Sequence, residues 1–164
     1  MYQRILVPID GSPTAQRGLT EAIRLASLTH GRLRLVHVID DLSFALSIDA
    51  YSGCVGDWLG DLRSAGNLLL MQAKTRAAAA DVEAETILLE QLQGRTDDLI
   101  CGEARSWPAD LIVIGTHGRR GISRLVMGSD AERVLRKASV PVLLVPGGTG
   151  EGGMQPAATT SKSG

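Results

Sequence analysis

Five short apolar runs punctuate the first 145 residues, and the longer segments between them place apolar side chains three or four positions apart. Residues 5–9, Ile-Leu-Val-Pro-Ile, are apolar without alternation, the pattern of a strand covered on both faces. Ser12-Pro13 comes next and supplies a capping hydroxyl and a proline for the first helical position. Leu19, Ile23 and Ala26 then keep helical spacing up to a stop at Gly31. The same reading predicts strands over 33–39, 85–89, 110–114 and 140–145 and helices over 58–80, 96–105 and 129–137. Strand and helix alternate throughout. The expected architecture is therefore α/β: an open, doubly wound five-stranded parallel sheet with helices on both faces, Rossmann-like in plan.

Two segments fall outside the alternation. Residues 40–57 mix Ser43, Gly53 and Gly56 with Phe44, Leu46, Ile48 and Tyr51, which is long for a connection and too mixed for a regular helix; a mobile or partly helical segment is expected. Residues 147–164 are Gly, Thr, Ser and Ala with almost no large apolar side chain, the composition of a flexible tail. One domain over 1–146 with a tail over 147–164 is the expected organisation.

Composition narrows the function classes. A chain of 164 residues, 44% hydrophobic and 21% charged, can bury a real core. Its formal charge of −1 gives no general field for polyanions, and an aromatic content of 3% leaves few rings for stacked bases, so nucleic acid is not an expected partner. No basic and apolar leader precedes the first strand and no apolar run approaches the length of a membrane span; a cytoplasmic protein without membrane association is expected. Cys54 and Cys101 have no neighbouring ligands at metal spacing and read as free thiols.

Candidate chemistry concentrates at strand ends. Gly115-Thr116-His117-Gly118 follows the fourth strand, and nine residues later Gly128-Ser129 opens a helix. Glycines there leave backbone N–H groups bare and the approach uncrowded, which suits a phosphate chain. The first strand exits through Asp10-Gly11-Ser12. If strands one and four are neighbours, Asp10 and the glycine loop face one crevice, where the carboxylate can accept from a ribose, hold a divalent cation, or simply cap the following turn. Ser129-Asp130-Ala131-Glu132 has the spacing of a capping box. Asp130 suits a helix start electrostatically but repels a polyphosphate unless a cation intervenes, and Arg119, Arg120 and Arg124 lie in the spacer beside it. A hydrolase built from Ser129, His117 and Asp10 is not expected, for there is no Gly-x-Ser-x-Gly elbow. Efficient NTP hydrolysis is not expected either, because the P-loop lysine motif is absent. His37 reads as a satisfied interior imidazole and His30 as a residue at a helix end.

The glycine spacing, the opening Ile5-Leu6-Val7-Pro8-Ile9-Asp10-Gly11-Ser12, the pair His37-Val38, and the close through Ala131-Glu132-Arg133-Val134-Leu135 to Ser139-Val140-Pro141-Val142-Leu143-Leu144-Val145 together resemble the universal stress protein family over residues 2–146. The resemblance implies an adenine-nucleotide alpha-hydrolase-like fold. It implies that Pro8, Ile9 and Asp10 flank adenosine with Asp10 on the ribose, that Val38 lies against adenine with its backbone reading the base edge, and that Gly115, Gly118, Gly128 and Ser129 hold the phosphates, with His117, Asp130 and Ala131 beside them. Family members with this glycine pattern bind ATP and members without it do not, so ATP is the implied ligand, with Mg²⁺ or Mn²⁺ carried through its phosphates and Asp10 the candidate side chain for the ion. A stress-response regulatory module with at most slow hydrolysis follows. The implied assembly is a homodimer through Val142, Leu143, Leu144 and Val145 at the sheet edge. Two alternatives stay open: a small nucleotide-processing enzyme of ATP hydrolase or adenylating type, and a dimeric scaffold that binds no nucleotide.

Overall fold

The computed structural model describes residues 1–40, 58–91, 95–116 and 128–147. The expectations for residues 41–57 and for the tail beyond 147, and those for Cys54, His117, Gly118 and the spacer arginines, lie outside the described residues. In chain order the elements are β1 (Arg4–Pro8), α1 (Pro13–Thr29), β2 (Arg32–Asp40), α2 (Trp58–Ala78), β3 (Ala84–Gln91), α3 (Thr96–Ser106), β4 (Leu111–Gly115), α4 (Ser129–Lys137) and β5 (Val142–Val145). They form one five-stranded sheet in the order β3-β2-β1-β4-β5, with every neighbouring pair parallel.

Alternation along the strands sorts the core into two layers. Ile5 and Val7 of β1, with Leu33 and Leu35 of β2, pack against Leu19, Ala22 and Ala26 of α1 and Leu70, Ala73 and Ala77 of α2. Leu6 and Val36 point the other way, onto Ile100, Cys101 and Ala104 of α3 and Val134 of α4. Ile5 to Val7 of β1 and Leu111 to Ile114 of β4 are buried on both faces, which is why those two strands read as continuous apolar runs. Each fully buried aliphatic side chain contributes about 1.5–3 kcal/mol relative to exposure.

Helix ends follow local chemistry. Ser12 caps α1 by accepting the Ala15 N–H at 3.1 Å, with Pro13 in the first turn. The stop differs from expectation by one residue: His30, at φ 51°, takes the left-handed position, and Gly31 follows where a Cβ would lie 2.8 Å from the Tyr2 carbonyl oxygen.

Two ionic clusters tie helices to the sheet and to each other. Arg34 of β2 bonds Glu103 of α3 at 2.5 Å and Glu85 of β3, and its guanidinium carbon lies 4.8 Å from the centroid of the Trp107 ring. That hydrogen bond from Arg34 holds the Glu85 carboxyl below its ordinary range. At the start of α3, the fully buried Asp97 meets the Arg95 guanidinium at 3.0 Å and the Lys137 ammonium, from the end of α4, at 2.6 Å. Burial alone raises the Asp97 pKa, but the two cations more than reverse it and the carboxyl titrates below its ordinary value.

Candidate functional site

The chain steps outward from β1 through β2 to β3 and then returns to place β4 on the other side of β1. The switch point is therefore between β1 and β4, paired at Ile5–Leu111 and Leu6–Ile112. In a doubly wound sheet the crevice beyond the carboxyl ends of such a pair is where ligands bind. The turn after β1, the exit of β4 and the first turn of α4 all meet there.

The β1 exit is tightly specified. Pro8 closes the strand half-buried, Ile9 is buried, and the Ile9 N–H donates to the Val36 carbonyl at 2.7 Å. Asp10 is half-buried and accepts the Ser12 N–H on Oδ1 at 2.9 Å, so the turn-capping role is real. Gly11 then takes φ +81°, a left-handed conformation for which glycine is the unstrained choice. The buried Ser12 and Thr14 hydroxyls lie 3.1 Å apart just inside α1.

Across the crevice, Gly115 and Gly128 each have a structural role. A Cβ on Gly115 would stand 2.7 Å from the Thr14 carbonyl carbon and 2.9 Å from the Ala15 nitrogen. Gly115 is bare because the start of α1 lies on it. Thr116 donates its N–H to the Val145 carbonyl at 2.9 Å and accepts the Gly128 N–H at 2.6 Å. The expectation of a bare amide at Gly128 is thus corrected: the Thr116 carbonyl occupies it. The capping box is corrected as well. Gly128, extended at φ −59° and ψ 143°, is the N-cap, Ser129 is the first helical residue, and among the described residues no side chain caps the helix. Glu132 turns to Arg136 at 2.8 Å instead of back to the cap. The helix spans Ser129–Lys137 as its sequence predicts; what differs is the cap, which is Gly128.

Among the described residues, the first turn of α4 suits an anion, since the leading N–H groups of a helix have no acceptor within their own helix. Ser129 is exposed. Ala131 packs its methyl into the core with Val134, so only its main chain can serve a ligand. Asp130 is exposed and lies 3.6 Å from Arg133, an i,i+3 pair that offsets its charge. Val38, near the end of β2, is half-buried among the α3-side apolar residues. Among the described residues no group of three or more His, Cys, Asp or Glu side chains is gathered for a metal, and no helix is long and apolar enough to cross a membrane.

The family model for the universal stress proteins matches residues 1–146. A universal stress protein of Methanocaldococcus jannaschii is 32% identical over 146 residues, covering 88% of this chain and 82% of its own. The chain belongs to the universal stress protein family. Solved structures agree with the assignment. A family member from Burkholderia pseudomallei, 34% identical, superposes with TM-score 0.70 over 89% of this chain and 97% of its own. Another, from Archaeoglobus fulgidus in complex with dAMP, is 28% identical with TM-score 0.63, covering 88% of this chain and 98% of its own.

Within this family member, the structure brings Pro8, Ile9, Asp10, Val38, Gly115, Gly128, Ser129, Asp130 and Ala131 to the carboxyl-end side of the sheet. Two open cavities lie elsewhere. One of about 420 Å³ is lined by Arg4, His30, Arg32, Glu83 and Asp110 near the amino ends of the strands, and one of about 490 Å³ runs between α1 and Leu143 to Pro146. Sequence reasoning passed over Gly66 of α2, where a Cβ would come 2.7 Å from His37 Cδ2. A glycine in the middle of a helical run, Leu62-Arg63-Ser64-Ala65-Gly66-Asn67-Leu68, was the available signal.

Proposed function

We propose that this universal stress protein binds ATP at the β1/β4 crevice as a regulatory, stress-response module of the cytoplasm, with at most slow hydrolysis. The observation that carries the reading is the placement of the Asp10 turn and the first turn of α4 at the switch point of the sheet. Asp10 takes the ribose, Pro8 and Ile9 flank the adenosine, and the Val38 main chain reads the base. Gly128, Ser129, Ala131 and the loop carrying His117 and Gly118 surround the phosphates. The dAMP complex of the Archaeoglobus fulgidus relative supports an adenine nucleotide. Mg²⁺ or Mn²⁺ travels with the phosphates, since Asp10 and Asp130 otherwise face a polyanion. Calorimetric titration with ATP, with and without Mg²⁺, tests this: tight binding that weakens in excess chelator is expected, and absence of binding in both conditions refutes it.

The same protein forms a homodimer through Val142, Leu143, Leu144 and Val145. β5 ends the sheet order, so among the described residues one side of it has no strand neighbour, and Leu143 is exposed. An apolar edge of this kind is covered by two-fold pairing.

A further inference from the structure

β1 and β2 form a regular parallel ladder as far as Val36. The Arg32 N–H donates to the Gln3 carbonyl at 2.9 Å at one end, and the Ile9 N–H donates to the Val36 carbonyl at 2.7 Å at the other. In this alternation the main-chain groups of residues 32, 34, 36 and 38 face β1, and the next rung is Val38 N–H on the Ile9 carbonyl. Among the described residues that rung is not made. The Ile9 carbonyl lies instead 2.6 Å from Nδ1 of His37. A carbonyl only accepts, so Nδ1 carries the proton.

The imidazole has been given a built place. It is 4% exposed, on the α2 side of the sheet, and Gly66 clears the room it fills: a Cβ there would stand 2.7 Å from His37 Cδ2 and 2.8 Å from Leu88 Cδ1. Glycine inside a helix is destabilising relative to alanine. The helix tolerates it where the ring must pass.

We propose that His37 is a positioning residue of the nucleotide site: by holding the Ile9 carbonyl it keeps the ladder open at Val38, whose N–H and C=O then face the crevice as an adjacent donor and acceptor for a purine edge. The inference rests on the nucleotide reading above. An adenine edge offers a ring-nitrogen acceptor beside an amino donor, the complement of one open main-chain unit. It also accounts for the pairing of two unlike neighbours: His37 works on one side of the sheet so that Val38 can present its backbone at the strand end.

Amide hydrogen exchange at Val38, read by NMR together with ATP·Mg²⁺ affinity, tests the role. In the ligand-free wild type the Val38 amide exchanges fast, and ATP slows it. In His37→Leu the rung to Ile9 closes, so Val38 is protected without nucleotide and ATP affinity falls about tenfold, the worth of one hydrogen bond. His37→Asn, which carries an N–H in place of Nδ1, keeps affinity within about threefold. Gly66→Ala retains the imidazole but pushes it off Ile9, and it gives the leucine result if His37→Leu does not fold. Val38 already protected in the ligand-free wild type, or ATP bound equally by wild type and by both His37→Leu and Gly66→Ala, overturns the role of His37 alone. A wild type that binds no ATP overturns the nucleotide reading, while Val38 exchange in the ligand-free proteins still decides whether His37 holds the ladder open.

Discussion

Replacing Gly115 with alanine probes how tightly the two sides of the crevice are set against each other. The new methyl would lie 2.7 Å from the Thr14 carbonyl carbon, 2.8 Å from its oxygen and 2.9 Å from the Ala15 nitrogen. All three are main-chain atoms in the first turn of α1, so no rotamer change relieves the overlap. The helix start must move off β4. Overpacking of this sort costs about 1–3 kcal/mol. Against it, alanine reduces the freedom of the unfolded chain by about 0.4–1 kcal/mol at a position that needs no left-handed backbone. A net loss of about 1–2 kcal/mol remains, which for a domain of this size lowers Tm by roughly 3–8 °C. Because Asp10 and Ser12 lie immediately before that turn, ATP affinity falls together with stability. Differential scanning calorimetry and titration calorimetry on Gly115→Ala check both effects. An unchanged Tm would refute the close approach of α1 to β4.

Gly102 makes the opposite case: a Cβ there meets nothing nearer than Arg105 Nη2 at 3.9 Å, so Gly102→Ala stabilises α3 by about 1 kcal/mol and raises Tm by a few degrees in the same calorimeter. The lowered pKa of Asp97 fixes the sign of an acid effect. Its contribution is fully present above the ordinary carboxylate value of 3.8 and is lost as pH falls below it, so Asp97→Asn destabilises the protein near neutrality and flattens the acid limb of a denaturant-monitored stability profile. Leu143→Lys turns a dimer into a monomer by light scattering at micromolar concentration; a monomeric wild type ends the edge-pairing model, and a dimer indifferent to the lysine moves the interface elsewhere.

The alternation of elements was legible because the central strands β1 and β4 are buried on both faces, which writes an apolar run no surface strand would carry. The neighbour relation of β1 and β4 was legible only as a condition, since it depends on where the chain returns after β3. Missed details share one physical origin: main-chain bonds and close approaches between residues distant in sequence. Ser129 has the right chemistry for a cap, but Gly128, its amide bonded to the Thr116 carbonyl, stands at the N-cap and Ser129 is the first helical residue. Gly115 was read as room for a ligand, whereas α1 occupies that room. His37 was correctly placed inside, yet its grip on Ile9, twenty-eight positions away, leaves no trace in local pattern. The roles of His117 and Gly118 rest on the resemblance, since both lie beyond the described residues.

Arg34, between Glu85 and Glu103 and stacked toward Trp107, binds β2, β3 and α3 together near the amino ends of the strands, far from the crevice at their carboxyl ends. Scaffold and specificity are thereby mutable in different places. Substitutions at the carboxyl end of the sheet leave this lock intact, so a lineage carrying the fold can vary that end without first surrendering its stability, and divergence among its descendants gathers there.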